Sequence, residues 1–296
     1  EAMTEPQLKF VPCISPTGLH RMAYWEWVGP TADAPVLICV HGLARQGRDF
    51  DTLARALQDG YRVVCPDVVG RGRSDWLPNP QGYTPPAYVP DMVALIARLG
   101  VEQVDWLGTS MGGLIGLALA AQPVVGGRPN PIRRLILNDV GPSVKLEWIE
   151  RIQAYLGKAP SFERYEQGVA YLSAISAGFG PHTPVQWEAL SRPMLVERDG
   201  RWHLHYDPAI AVPVAATTAE QADASQALLW QIWDSLRCPA LVLRGAESDV
   251  LPAEVAAEMT QRGPKASLVE FAGVGHAPTL VQPEQIAAVR AFLDSA

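Results

Sequence analysis

Gly108-Thr109-Ser110-Met111-Gly112 constrains this chain more than any other stretch of it. It stands where a short apolar run, Val104–Leu107, gives way to a helical pattern from Met111 to about Ala121. A G-x-S-x-G sequence in that setting puts the serine on a tight, strained turn, with its hydroxyl raised above the end of a buried strand. The flanking glycines belong there because side chains would collide with the neighbouring strand and helix. A helix that starts just after the serine also turns its positive end toward negative charge developing at the site. Ser110 is therefore a candidate nucleophile.

The rest of the pattern agrees with such a turn. Val36–Val40, Arg62–Cys65, Val104–Leu107, Arg134–Leu137, Ala240–Leu243 and Ser267–Phe271 are short apolar or β-branched runs. Continuous apolar runs of this length are strands covered on both faces, as in parallel sheets. Between them, helices are predicted at Asp49–Gln58, Pro90–Leu99, Ala253–Gln261 and Glu284–Leu293, and His20–Val28 alternates like an antiparallel strand. The rhythm breaks from Gly141 to about Leu236, which is helical, aromatic and interrupted by prolines, with no buried-strand run. Strands alternating with helices indicate a mainly parallel sheet with helices on both faces. The expected division is a core of residues 1–140 and 237–296 with an inserted, mainly helical cap at 141–236.

Composition narrows the function. With 48% hydrophobic residues among 296, the chain can bury a large core. A net charge of -7 argues against a general nucleic-acid binder, which needs a basic face. No apolar run reaches the roughly 18 residues of a membrane span. Glu1-Ala2 reads as a leftover ahead of a native start at Met3, and no charged, then apolar, leader follows. Cys13, Cys39, Cys65 and Cys238 lack metal-ligand spacing and read as free thiols, which suits a reducing cytoplasm. A secreted form whose leader has been removed stays open beside that reading.

Three further segments carry chemistry. Cys39-Val40-His41-Gly42-Leu43 closes an early strand; Leu243-Arg244-Gly245-Ala246-Glu247-Ser248-Asp249 and Ala272-Gly273-Val274-Gly275-His276-Ala277 follow later ones. Serine is a weak nucleophile until an imidazole takes its proton, and a carboxylate must hold that imidazole's tautomer. His276, in a glycine-rich loop, is the candidate base. With these motifs the chain resembles the α/β-hydrolase superfamily along essentially its full length. The resemblance implies a mostly parallel eight-stranded sheet and the chain order Ser110, Asp249, His276. It also implies an oxyanion hole from the backbone N–H groups of Leu43 and Met111. Asp139, in Leu137-Asn138-Asp139, is a rival for the acid because some relatives place it after that strand; Glu247 is another.

Other features are weaker. Asp67–Ser74 lacks the spacing of a phosphate loop and reads as a strand-to-loop connection, with Trp76 nearby as a candidate pocket residue. Arg45, two residues beyond Leu43, is a candidate partner for a substrate carboxylate. His203 and His205 alternate, but without a third ligand they mark a hairpin rather than a metal site. Trp148, Phe179, Trp187, Trp230 and Trp233 are candidates for lining a pocket under the cap.

The function implied is hydrolysis of carboxylic esters through an acyl-enzyme, with no metal or organic cofactor, acting on a small-molecule ester. Serine at the elbow disfavours relatives with aspartate there, the haloalkane dehalogenases and epoxide hydrolases. Hydrolases of 3-hydroxybutyrate oligomers, lactonases and carbon–carbon bond hydrolases share the same motifs, as does a non-catalytic ligand receptor of this fold. Oligomeric state is open.

Overall fold

The computed structural model describes residues 4–295. Glu1–Met3, the leftover and start inferred above, lie outside the described residues. In chain order the strands are β1 (Gln7–Ser15), β2 (Gly18–Trp27), β3 (Val36–Val40), β4 (Arg62–Pro66), β5 (Val104–Thr109) and β6 (Ile132–Asn138). There follow β7 (Ser161–Phe162), β8 (Leu195–Arg198), β9 (Arg201–Leu204), β10 (Ala240–Gly245) and β11 (Ser267–Phe271). The helices are α1 (Asp51–Leu57), α2 (Pro85–Leu99), α3 (Met111–Ala120), α4 (Leu146–Gln153) and α5 (Tyr165–Ile175). After these come α6 (Pro184–Ser191), α7 (Ala211–Ala215), α8 (Ala219–Ser235), α9 (Ala253–Met259) and α10 (Pro283–Asp294).

Eight strands pair in the order β1-β2-β4-β3-β5-β6-β10-β11. Pairing is parallel from β4 through β11, while β2 meets β1 and β4 antiparallel. Alternation along a strand sends successive side chains to opposite faces, and β3 shows what that does. Val36, Ile38 and Val40 join Met92 and Leu95 of α2 and Ile115 of α3. Leu37 and Cys39 join Leu53 and Leu57 of α1 and Val289 and Leu293 of α10. Both faces are dry, so every residue of β3 is apolar and buried.

Two differences from the sequence reading have local causes. β1 is an edge strand on which only Val11 and Cys13 are fully buried, so its alternation is too faint to read. α2 begins at Pro85, five residues before the expected start, because prolines at the first two positions forfeit only N–H groups that have no helical partner anyway.

Between β6 and β10 lie α4 to α8 and a three-stranded antiparallel sheet in the order β7-β9-β8. The β8–β9 hairpin turns through Asp199-Gly200, both at positive φ, as a two-residue Asp-Gly turn requires. These strands are two to four residues long, too short to register as a buried run. No described helix is long and apolar enough to cross a membrane.

Candidate active site

β5 delivers Thr109 to the rim of the sheet, and Ser110 follows with φ 52 and ψ −116, just before α3 begins. Its N–H donates to Asn138 O at 3.0 Å, which ties the turn to the end of β6. The glycines are steric necessities. A Cβ on Gly112 would overlap Val40 O, and one on Gly108 would overlap the Gly112 carbonyl. Trp106 Nε1 donates to Gly112 O at 3.0 Å from beneath, holding the helix start against the strand.

His276, on the loop after β11, brings Nε2 to 2.9 Å from Ser110 Oγ. Its Nδ1 lies 2.6 Å from Asp139 Oδ2. A carboxylate accepts, so Nδ1 carries the proton and Nε2 is free to accept from the serine hydroxyl. Asp139 is fully buried and takes two more donors, Gly245 N–H on Oδ1 at 2.8 Å and Ser248 Oγ–H on Oδ2 at 2.6 Å. Its backbone has φ 58, and its N–H donates to Leu243 O.

The acid at the imidazole is thus Asp139, and Asp249 is corrected. Thr109 and Asn138 are paired partners on adjacent parallel strands, so the next residues, Ser110 and Asp139, emerge side by side at the rim. Asp249 sits farther along the loop after β10, half exposed, and pairs with Arg151 of α4. The serine beside it, Ser248, is what reaches Asp139. Glu247 borders the same cavity without bonding to the imidazole.

Leu43 follows β3 at the serine: a Cβ on Gly42 would lie 3.7 Å from Ser110 Cβ. Among the described residues, no backbone carbonyl takes the N–H of Leu43 or Met111. His41 beneath them is fully buried, with Nδ1–H donating to Gly42 O at 2.7 Å and Nε2 accepting Val68 N–H at 2.9 Å. Burial above all pushes its pKa down to about 3, so it is a neutral brace. Arg71 is also fully buried. Its Nε donates to Leu43 O at 2.8 Å, and its Nη2 lies 3.4 Å from Met111 Sδ.

A cavity of about 650 Å³ opens over Ser110 and His276, within the usual range for small-molecule sites. Leu43, Ile152, Leu172, Ile175 and Leu204 supply apolar walls. Of the five aromatic candidates, Trp148 and Phe179 border it; Trp148 meets the His276 ring edge-on at 6.2 Å. Trp187 stacks behind Phe179, Trp230 lies under Arg262, and Trp233 is buried with its N–H on Arg262 O. Arg45 borders the cavity, but its guanidinium is taken by Asp49 at 2.8 and 2.9 Å and by Leu190 O at 3.0 Å. Trp76 is 43% exposed and stands away from the cavity.

His203 lies on β9, and His205 just beyond it contacts Pro193 O, so the pair belongs to the hairpin region. Elsewhere Cys13, His20 and Asp91 bring donor atoms within 4.8 Å of one another, a cluster that scattered sequence positions conceal. His20 Nε2 is already on Asp91 at 2.8 Å, and burial first, then Asp91, pushes the Cys13 thiol up to about 12. The Cys13 thiol therefore keeps its proton, and His20 and Asp91 form a buried hydrogen-bonded pair beside it under α2.

A family model described as alpha/beta hydrolase fold matches residues 35–283. The chain belongs to the α/β-hydrolase fold family. A curated relative, a 3-hydroxybutyrate-oligomer hydrolase of Cupriavidus necator, is 55% identical over 98% of this chain and 99% of its own. The crystal structure of an alpha/beta hydrolase from Novosphingobium aromaticivorans superposes with a TM-score of 0.85, at 36% identity and full coverage of both chains. The enol-lactonase from Burkholderia xenovorans shares the fold with a TM-score of 0.69 at 21% identity, over 93% of this chain and 96% of its own. The mainly parallel sheet is thus that of a hydrolase family, and on its rim the elbow serine, the loop histidine and Asp139 meet.

Proposed function

We propose that this protein is a serine hydrolase of carboxylic esters whose substrates are short linear oligomers of 3-hydroxybutyrate. The observation that carries the chemistry is the relay Ser110–His276–Asp139, closed at 2.9 and 2.6 Å at the edge of a cavity. The substrate class is supported by the 55% identity to the Cupriavidus necator oligomer hydrolase over nearly the whole of both chains.

The cycle has two halves. Ser110 Oγ attacks the ester carbonyl as His276 Nε2 takes the hydroxyl proton, and Asp139 stabilises the imidazolium through Nδ1–H. The N–H groups of Leu43 and Met111 hold the oxyanion. The tetrahedral intermediate collapses, the C–O bond breaks, and His276 returns the proton to the leaving hydroxyl of the shortened oligomer. Water then gives its proton to His276 and its oxygen to the acyl carbon, which frees the acid and Ser110.

Residues 141–236 act as a cap over the core of 1–140 and 237–296. This is supported by Gly275 N–H donating to Gly178 O at 2.8 Å and by His182 Nε2 lying 2.7 Å from Thr279 Oγ1, both on the loop of His276. The four free cysteines, three of them buried, fit a reducing cytoplasm.

The test is to supply the dimer and trimer of 3-hydroxybutyrate and p-nitrophenyl butyrate to the wild type and to Ser110→Ala. Release of monomer by the wild type alone is expected. Hydrolysis of p-nitrophenyl butyrate with the oligomers untouched would refute the substrate, and no hydrolysis of any would refute the chemistry.

A further inference from the structure

We propose that Arg71 is a positioning residue for the oxyanion hole: its buried guanidinium clamps the two segments that supply the amides and leaves a positive charge behind them. This rests on the hydrolase reading given above. The side chain has no exposure, yet among the described residues none of its hydrogen-bond acceptors is a carboxylate. Nε donates to Leu43 O at 2.8 Å; Nη1 donates to Val69 O and Tyr88 Oη, both at 2.9 Å. Nη2 is 3.4 Å from Met111 Sδ. One planar group thus spans the turn after β3 and the first residue of α3, the two segments whose N–H groups hold the oxyanion in the proposed cycle. Tyr83 and Tyr88 flank the guanidinium, with ring centroids 5.9 and 5.3 Å from its carbon.

A buried guanidinium is costly unless it is paired, and structural arginines usually meet an acid. Asp67, four residues earlier and equally buried, would serve, but its oxygens cap the N–H groups of Gly47 and Arg73 at 2.7 and 2.8 Å. A second buried acid, Asp207, is taken by Tyr83 Oη at 2.7 Å. The charge of Arg71 thus has no carboxylate in direct hydrogen bond, and low local dielectric strengthens its attraction for an oxyanion formed at Ser110. Its influence already reaches this turn, because after burial it is among the causes that keep His41 neutral.

The same loop is fastened to the segment after β9. Gly72 N–H donates to His205 O, Asp207 N–H donates to Gly70 O, and Arg71 forms an isolated bridge with Tyr206. Tyr206 borders the cavity. The arginine therefore joins the inserted segment to the amides through contiguous bonds.

Arg71→Met and Arg71→Lys, both checked for a native melting curve, test the assignment with p-nitrophenyl butyrate. The expected result for Arg71→Met is a loss of about 10² in kcat, the lower end of what removing an oxyanion donor costs, with KM little changed. Arg71→Lys keeps charge without the planar fork and should lose less. A trifluoromethyl ketone, which forms an oxyanion on Ser110, should weaken by the same factor as kcat/KM. A non-hydrolysable ether analogue should bind as before. Unchanged kcat, or equal weakening of ketone and ether, would overturn the proposal. Should Arg71→Met not accumulate folded, the lysine variant and Met111→Leu are read by the same two inhibitors. An inactive wild type would count against the hydrolase reading instead, so the two failures are distinct.

Discussion

Replacing Asp139 by Asn separates the relay found here from the one expected around Asp249. Asp139 Oδ1 accepts Gly245 N–H, and that N–H can only donate, so the Asn carbonyl must keep this place. The amide NH₂ then faces His276 Nδ1, where Oδ2 stood at 2.6 Å. A donor there forces the proton from Nδ1 to Nε2, and the imidazole can no longer accept from Ser110. Trapping the wrong tautomer costs about 10⁴ in kcat, equivalent to about 5 kcal/mol of transition-state stabilisation. The backbone tolerates the change, since Asn is among the few residues that accept φ near 58. Asp249→Asn removes only a half-exposed pair with Arg151. Such pairs contribute about 0–1 kcal/mol, so less than about a fivefold effect is expected. Steady-state kcat and KM on p-nitrophenyl butyrate, with melting curves to confirm folding, decide the matter. A 10⁴-fold loss in Asp249→Asn, with Asp139→Asn near wild type, would refute this reasoning.

His41 should make the fold acid-sensitive. Its folded pKa of about 3 lies below the ordinary 6.5, so between those values the unfolded chain binds a proton that the native state does not. Its contribution is complete above about pH 6.5 and is lost as pH falls toward 3, up to about 5 kcal/mol in all. Asp67, pushed up to about 6 by burial, works in the opposite sense between about 4 and 6, with a smaller shift. Urea denaturation across this range should show a net acid loss that His41→Gln flattens; the same slope in both proteins would contradict the assignment. Arg45→Ala should affect acidic and neutral esters alike, because Asp49 and Leu190 O already hold the guanidinium. A KM increase confined to acidic esters would instead make it a carboxylate partner.

What the sequence revealed follows from how locally each feature is encoded. The strand–turn–helix at Ser110 is a contiguous string whose glycines answer to nearby backbone, and the buried strands are continuous apolar runs, so both were legible. The position of the acid is not local. It depends on β6 lying between β5 and β10, which brings Asp139 beside Ser110 while Asp249 pairs with Arg151 at the border of the cavity. Leu137-Asn138-Asp139 carried the signal, but spacing alone does not rank it above a second acid after a later strand. Arg71 was hidden for a similar reason. Its loop reads as a plain connection, and the acceptors at Leu43, Tyr88 and Met111 come from three separated segments. The β8–β9 hairpin was anticipated only near its histidines, because its strands bury little apolar surface.

The central claim is that Ser110 is a nucleophile activated by His276 under the hold of Asp139. Exposure to a fluorophosphonate, followed by mass spectrometry of the digested protein, reads this directly. One adduct per chain on the peptide containing Ser110 is expected, formed far more slowly in Asp139→Asn and at the wild-type rate in Asp249→Asn. An unmodified Ser110 in the folded wild type, or an adduct forming equally fast without Asp139, would contradict the account.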